Sequence, residues 1–264
     1  MSGVLERAFQ VLEYLSERPA GSPISALAGE LDIPLSASHR VLADLVRCGY
    51  VRQDAETGRY ALTIKMVAMG LSFLSRSGVV DVSQPLLDQL ASHSGELVRL
   101  AIVDGESLVF VAKAQGATHG LRYDPDMGLA VPLWCSAAGH AWLSTLTDDD
   151  ALVLVARAGL NEPERFGPRA PTSIGVVMDY VRAARERGFS MITEVFAPGM
   201  AAMAAPVRGD DGAAIGVVTI AGPAVRLTES RMQELAPDLL ETARLVASAS
   251  GASALFKRKP AATV

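Results

Sequence analysis

Cysteine and histidine are the residues of this chain best suited to nucleophilic or metal chemistry, and their spacing supports neither. Cys135 and His140 lie five residues apart in one expected helix, which turns them to different faces, and no third group is indicated to orient a thiol–imidazole pair. His93, His119 and His140 show no HxxxH or HExxH spacing, so a metal site has no frame. The sequence holds no GxGxxG, no Walker loop and no GxSxG, and neither catalysis nor a cofactor is expected. A different constellation has chemistry in view: Ser25, Ser36, Ser38, His39 and Arg40, followed by Arg52 and Arg59. Hydroxyls, an imidazole and guanidinium groups at such positions read base edges and hold phosphates.

The elements that must position those residues follow from periodicity. Val4, Leu5, Ala8, Leu12 and Leu15 recur at helical spacing, predicting an amphipathic helix over residues 4–18. Ser25 is placed to cap a short helix with Ala26, Leu27 and Leu31 inward, and Asp32-Ile33-Pro34 ends it. Ser36 is placed to cap the next, over 37–48, with Val41, Leu42, Leu45 and Val46 as the buried stripe. Two short helices across a small turn form a helix-turn-helix, whose second helix enters the major groove with its leading residues. Two strands around residues 54–58 then make a wing flanked by Arg52 and Arg59.

Charge argues the other way. Residues 1–66 carry 7 basic against 8 acidic side chains, and the whole 264-residue chain is at −5, a poor footprint for a nucleic-acid binder. DNA contact must come from local placement, and a winged helix that binds only protein is the competing reading. The two cysteines, Cys48 and Cys135, suit a reducing compartment. With no signal peptide or membrane-spanning run, a soluble cytoplasmic protein is expected.

Residues 64–77, with Met66, Val67, Met69, Gly70, Phe73 and Leu74 and few charges, predict an apolar linking helix, which a partner subunit or its own domain could cover. A second domain follows: a helix over 81–93 with Ser83 and Pro85 in its first turn, a hairpin over 96–114, a loop-and-strand region over 116–133, helices over 148–156 and 173–187, and three strands over 189–222. Thr228 is placed to cap a last helix. Mixed antiparallel strands with flanking helices give an α+β fold. Within it, Ser136 is placed to cap a helix that starts Ala137-Ala138-Gly139. That start either exposes backbone N–H groups to an anion or packs closely on a sheet.

Six segments, VLERAFQVLEYL, ISALAGELDIPLSASHRVLADLVRCGYV, GRYALTIKMVAMG, PLWCSAAGHAWL, RERGFSMITEVFAPGMAAMAAPV and IGVVTIAGP, together resemble bacterial regulators of the isocitrate lyase regulator (IclR) family. The resemblance implies a winged helix-turn-helix over 1–63, a linker helix over 64–78, a GAF-like effector-binding domain over 79–252 and a disordered tail over 253–264. It implies a ligand-responsive regulator, read as a repressor of a catabolic operon, that binds double-stranded operator DNA as a homodimer or dimer of dimers. A sensor acting through protein contacts alone is the alternative. Effector contacts are implied at Ala137, Ala138, Ile192, Ala202, Thr219 and Ala221, with Leu121 and Tyr123 from the loop above. Met127, Trp134, Cys135 and Ser136 complete the expected pocket. Ile192 and Ala202 replace polar residues common in the family, so the expected effector is an aromatic or hydrophobic carboxylate and not a small polar acid.

Overall fold

Leu42 and Leu27, both sealed from solvent, are the centre of the N-terminal unit, and three helices are wrapped around them. The computed structural model describes residues 3–125 and 131–250, and the chain divides into two compact units between Phe73 and Leu74. In the first, α1 (Val4–Ser16), α2 (Ile24–Glu30) and α3 (Leu35–Arg47) precede an antiparallel hairpin of β1 (Val51–Gln53) and β2 (Tyr60–Leu62). Gly21, at φ +75°, lets the chain bridge Ser22 to Tyr60; a Cβ there would meet the Tyr60 carbonyl oxygen at 2.7 Å.

Several local expectations need correcting. Pro23 and Pro34 occupy the N-cap positions of α2 and α3, so Ser25 and Ser36 lie inside the first turns and cap nothing. Proline is tolerated at a helix start because the N–H it lacks would have no intrahelical partner there. Val46 points out, whereas Ser38 is the fourth member of the buried stripe with Val41, Leu42 and Leu45. On α1 the inward residues are Val11, Tyr14 and Leu15, while Val4, Leu5 and Phe9 are exposed.

α4 (Lys65–Ser77) leaves Met66, Val67, Met69, Leu71 and Phe73 exposed. The second unit takes in the last turn of α4 and then α5 (Val79–Ser94), whose N-cap is Gly78, so that Ser83 and Pro85 both lie beyond its first turn. A five-stranded antiparallel sheet in the order β4-β3-β7-β6-β5 follows, built from β3 (Leu97–Asp104), β4 (Ser107–Gln115), β5 (Ser190–Thr193), β6 (Met200–Arg208) and β7 (Ala214–Pro223). Period-two alternation gives the sheet two apolar faces. One buries Val98, Leu100, Met203 and Ile220 against α5 and the long α9 (Glu229–Ala249), which Thr228 caps. The other buries Ala101, Ala204 and Val217 against α6 (Ala137–Leu143), α7 (Asp148–Ala158) and α8 (Ile174–Arg187). The loop-and-strand region is loop throughout its described residues; Met127 and the tail after residue 250 lie outside those described. Among the described residues no helix is long and apolar enough to cross a membrane.

Candidate nucleic-acid interface and ligand cavity

Helical spacing sorts the candidate DNA residues. Positions 36, 39, 40, 43 and 47 share the outer face of α3, and Ser36, His39 and Arg40 are all exposed. Arg40 has no hydrogen bond or ion pair among the described residues, whereas Arg47 is bound to Asp44 at 2.7 Å. Ser38 is a correction: it is 0 % exposed and its hydroxyl donates to the Ile33 carbonyl at 3.5 Å, so it meets the core and not a base. Ser25 is exposed on α2. On the wing, Arg52 is free to face solvent, and Arg59 is steered by its Nε and Nη2 donating to the Gly21 carbonyl at 3.2 and 2.9 Å. The carbonyl leaves the guanidinium charge unneutralised, so Arg59 keeps its attraction for phosphate. Asp54 closes the wing tip, accepting from the Thr57 N–H and hydroxyl at 2.8 Å each, and those bonds hold its carboxyl below the usual range.

The second unit holds a cavity of about 190 Å³ between the sheet and the start of α6. Phe110 on β4, Arg99 on β3, Thr219 and Ala221 on β7, Ala202 on β6 and Ile192 on β5 form its floor, one strand after another. Ser136, Ala137 and Ala138 form one wall, and Tyr123, Pro125, Val131 and Pro132 cover it. Phe196, Met200 and Ala201 close the β5–β6 end.

A β-bulge decides what stands beside Arg99. The β3–β4 register slips between Leu100 and Ala101, so that Ala101 pairs with Phe110 and Val111 is left over. Ala112 and Ala114 face α5, but beyond the slip Leu108 and Phe110 face the cavity side. The Arg99 guanidinium carbon therefore lies 3.7 Å over the Phe110 ring. Its Nε is buried without a hydrogen-bond partner among the described residues, and burial pulls its pKa below the ordinary arginine value, with Tyr123 and Asp124 opposing. Arg99 was missed in the sequence, where it stood as one charge in an apolar strand.

The helix start is built as its residue types require. Ser136 Oγ accepts from the Gly139 N–H at 3.0 Å and donates to the Pro132 carbonyl at 2.6 Å. A Cβ on Gly139 would sit 2.3 Å from the Leu133 carbonyl oxygen, so glycine permits this fold-back. Ser190 on β5 ties Ala137 to the sheet, donating to its carbonyl at 2.6 Å. Of the expected pocket, Tyr123, Ser136, Ala137, Ala138, Ile192, Ala202, Thr219 and Ala221 line the cavity. Leu121, 66 % exposed, does not. Nor does Trp134, which packs edge-on to Phe166 at 5.0 Å, behind Phe196, nor the fully buried Cys135. Burial pushes the Cys135 thiol up to about 12 and the His140 imidazole down to about 4. His140 Nε2 lies 2.9 Å from the Trp134 carbonyl and its ring stacks on Tyr180. Both groups are neutral near pH 7, which removes a thiolate–imidazolium pair.

Residues 71–248 match the model of the bacterial transcriptional regulator IclR C-terminal domain, and residues 4–55 match the IclR helix-turn-helix domain. This chain belongs to the IclR family. It is 30% identical over 247 residues to the HTH-type transcriptional repressor AllR of Salmonella typhimurium, covering 94% of this chain and 89% of that protein. It shares the fold of an IclR transcriptional regulator from Alicyclobacillus acidocaldarius, with a TM-score of 0.81 at 22% identity over 95% of this chain and 100% of the other. It also shares that of an IclR homolog complexed with 4-hydroxybenzoate from Microbacterium hydrocarbonoxydans, with a TM-score of 0.76 at 18% identity and the same coverage. The IclR families matched are DNA-binding transcriptional regulators, not enzymes.

Proposed function

We propose that this IclR regulator is a repressor that holds operator DNA with α3 and the wing, and whose affinity for DNA is set by a ring-bearing hydrophobic carboxylic acid in the cavity of the second unit. The observation that carries the effector class is the cavity itself. Among the described residues its lining is apolar except for the Arg99 guanidinium and the Ser136, Thr219 and Tyr123 hydroxyls. Its volume of about 190 Å³ exceeds the ~150 Å³ apolar cavity that takes up benzene, leaving room for one ring and a small substituent. A two- or three-carbon polar acid would leave most of that apolar wall uncovered. The 4-hydroxybenzoate in the Microbacterium homolog and the repressor role in the name of the Salmonella relative point the same way.

On the DNA side, Ser36, His39 and Arg40 read the major groove, while Ser25, Arg52 and Arg59 position the unit on phosphates. The exposed apolar side chains of α4, with Val4, Leu5 and Phe9 of α1, are covered by a second copy of the chain, which spaces two recognition helices on operator half-sites. The acid alters DNA affinity by binding the DNA-competent and DNA-incompetent arrangements unequally. Calorimetric titration with a panel of aromatic and aliphatic acids tests the effector class: micromolar binding of benzoates is expected. Tight glyoxylate or pyruvate binding with no benzoate binding overturns it.

A further inference from the structure

The cavity is polarised along the sheet, and we propose that this polarity orients its ligand. The carboxylate of a ring-bearing monocarboxylic acid sits on Arg99, and the far end of the ring meets Ile192, Phe196 and Met200. Arg99, and not the start of α6, is then the anion receptor. This rests on reading the cavity as the effector site.

Arg99 is the one charged side chain in the described lining, and it has neither a hydrogen bond nor an ion pair among the described residues. The Phe110 face recovers part of the cost of desolvating a guanidinium, but a cation over a ring still lacks a counter-anion. The described acids nearby are already committed. Asp124 takes Lys113 at 2.7 Å and Arg122 at 3.4 Å, and Glu96 takes Arg226 at 2.7 and 2.9 Å. An anion entering the cavity supplies what the fold omits.

The start of α6 has less to offer. Its Gly139 N–H is satisfied by Ser136 Oγ and its His140 N–H by the Ser136 carbonyl; the Ala137 and Ala138 N–H groups remain, but a helix of 7 residues sums few peptide dipoles behind them and they carry no full charge. At the opposite end, Ile192, Phe196 and Met200 bring no charge or hydrogen-bonding side chain. β3 and β5 are separated by β7 and β6, so the two ends lie roughly 14 Å apart at ordinary strand spacing. A para-substituted benzoate can reach from one towards the other. A second carboxylate at the far end would be buried without a partner, which excludes dicarboxylates.

The test is calorimetric titration of the full chain with 4-methylbenzoate, terephthalate and the neutral 4-methylbenzyl alcohol, for the wild type, Arg99→Met and Arg99→Lys. The wild type is expected to prefer 4-methylbenzoate over terephthalate by roughly a hundredfold. Arg99→Met should weaken 4-methylbenzoate by about ten- to a hundredfold and leave the alcohol unchanged. Arg99→Lys should restore part of the loss, since a point charge replaces the fork. Equal affinity of wild type and a folded Arg99→Met for 4-methylbenzoate overturns the Arg99 assignment while leaving the effector cavity standing. Should Arg99→Met fail to fold, a wild type that binds alcohol and acid equally overturns it instead. A wild type that binds none of the three overturns both readings.

Discussion

Arg40 and Arg99 carry the same guanidinium into opposite surroundings. Arg40 stands on the outer face of α3 in open water; Arg99 lies over an aromatic ring with its Nε shut away from solvent. The exposed one can exchange water for phosphate at little cost, and salt weakens what it gains. The half-buried one has given up part of its water on folding, at Nε above all, so a ligand anion meets a charge already partly desolvated, in a setting that salt screens less than the open surface. On the proposed function, one residue type serves long-range attraction in one unit and selective binding in the other. The difference lies in the elements that hold each.

The largest effect is expected in the core beneath Arg40. Leu42→Ala should destabilise the first unit by about 2–5 kcal/mol, seen as a lowered unfolding transition, with acid binding by the second unit retained. Simultaneous loss of acid binding would show that the two functions are not separately housed.

The second effect tests the uncharged interior around the cavity. Above pH 6.5 His140 is neutral in both folded and unfolded chains. As pH falls from 6.5 towards 4 the unfolded chain takes up the proton and the folded one, with its imidazole held down at about 4, does not. Stability therefore falls with pH across that window, by about 3 kcal/mol at its lower end. Melting followed from pH 7 to 4 should show a shallower pH slope for His140→Phe than for wild type, whatever its absolute melting temperature. An identical slope would mean that His140 charges freely in the fold.

Arg40→Ala should cost about 1–3 kcal/mol of operator affinity while leaving acid binding unchanged, measured by fluorescence anisotropy and calorimetry on the same preparation. Retained operator affinity removes Arg40 from the interface. The smallest effect belongs to Ser38→Ala, two residues away on the opposite face of α3. It should leave operator affinity unaltered, because that hydroxyl faces the Ile33 carbonyl in the core; a loss as large as that of Arg40→Ala would contradict its placement.

How far these sites could be read from the sequence depended on how far each rested on local rules. The caps of Ser136 and Thr228 were legible because an N-cap is set within four residues. Ser38 was misread although its spacing to Val41, Leu42 and Leu45 marks the buried stripe, since a hydroxyl at a helix start invites a polar role. Val4 and Leu5 showed the right period, but no neighbour among the described residues covers them, and period alone cannot say what an apolar face meets. The lining of the cavity depends on which face of the sheet each strand residue takes. On β4 that face changes at Val111 through a bulge with no turn residue or glycine to announce it. Arg99 was visible only as a charge among Leu97, Val98, Leu100 and Ala101, and nothing local says that Phe110 lies beneath it.

The proposed function joins a DNA grip to an acid-sensing cavity in one chain. It is tested most directly by titrating the full-length protein into labelled DNA from upstream of its own gene, at two salt concentrations, with and without 4-methylbenzoate. Saturable binding that weakens steeply with salt is expected, with an affinity that the acid shifts. Binding to that DNA that the acid leaves untouched, or no binding at either salt, would contradict it.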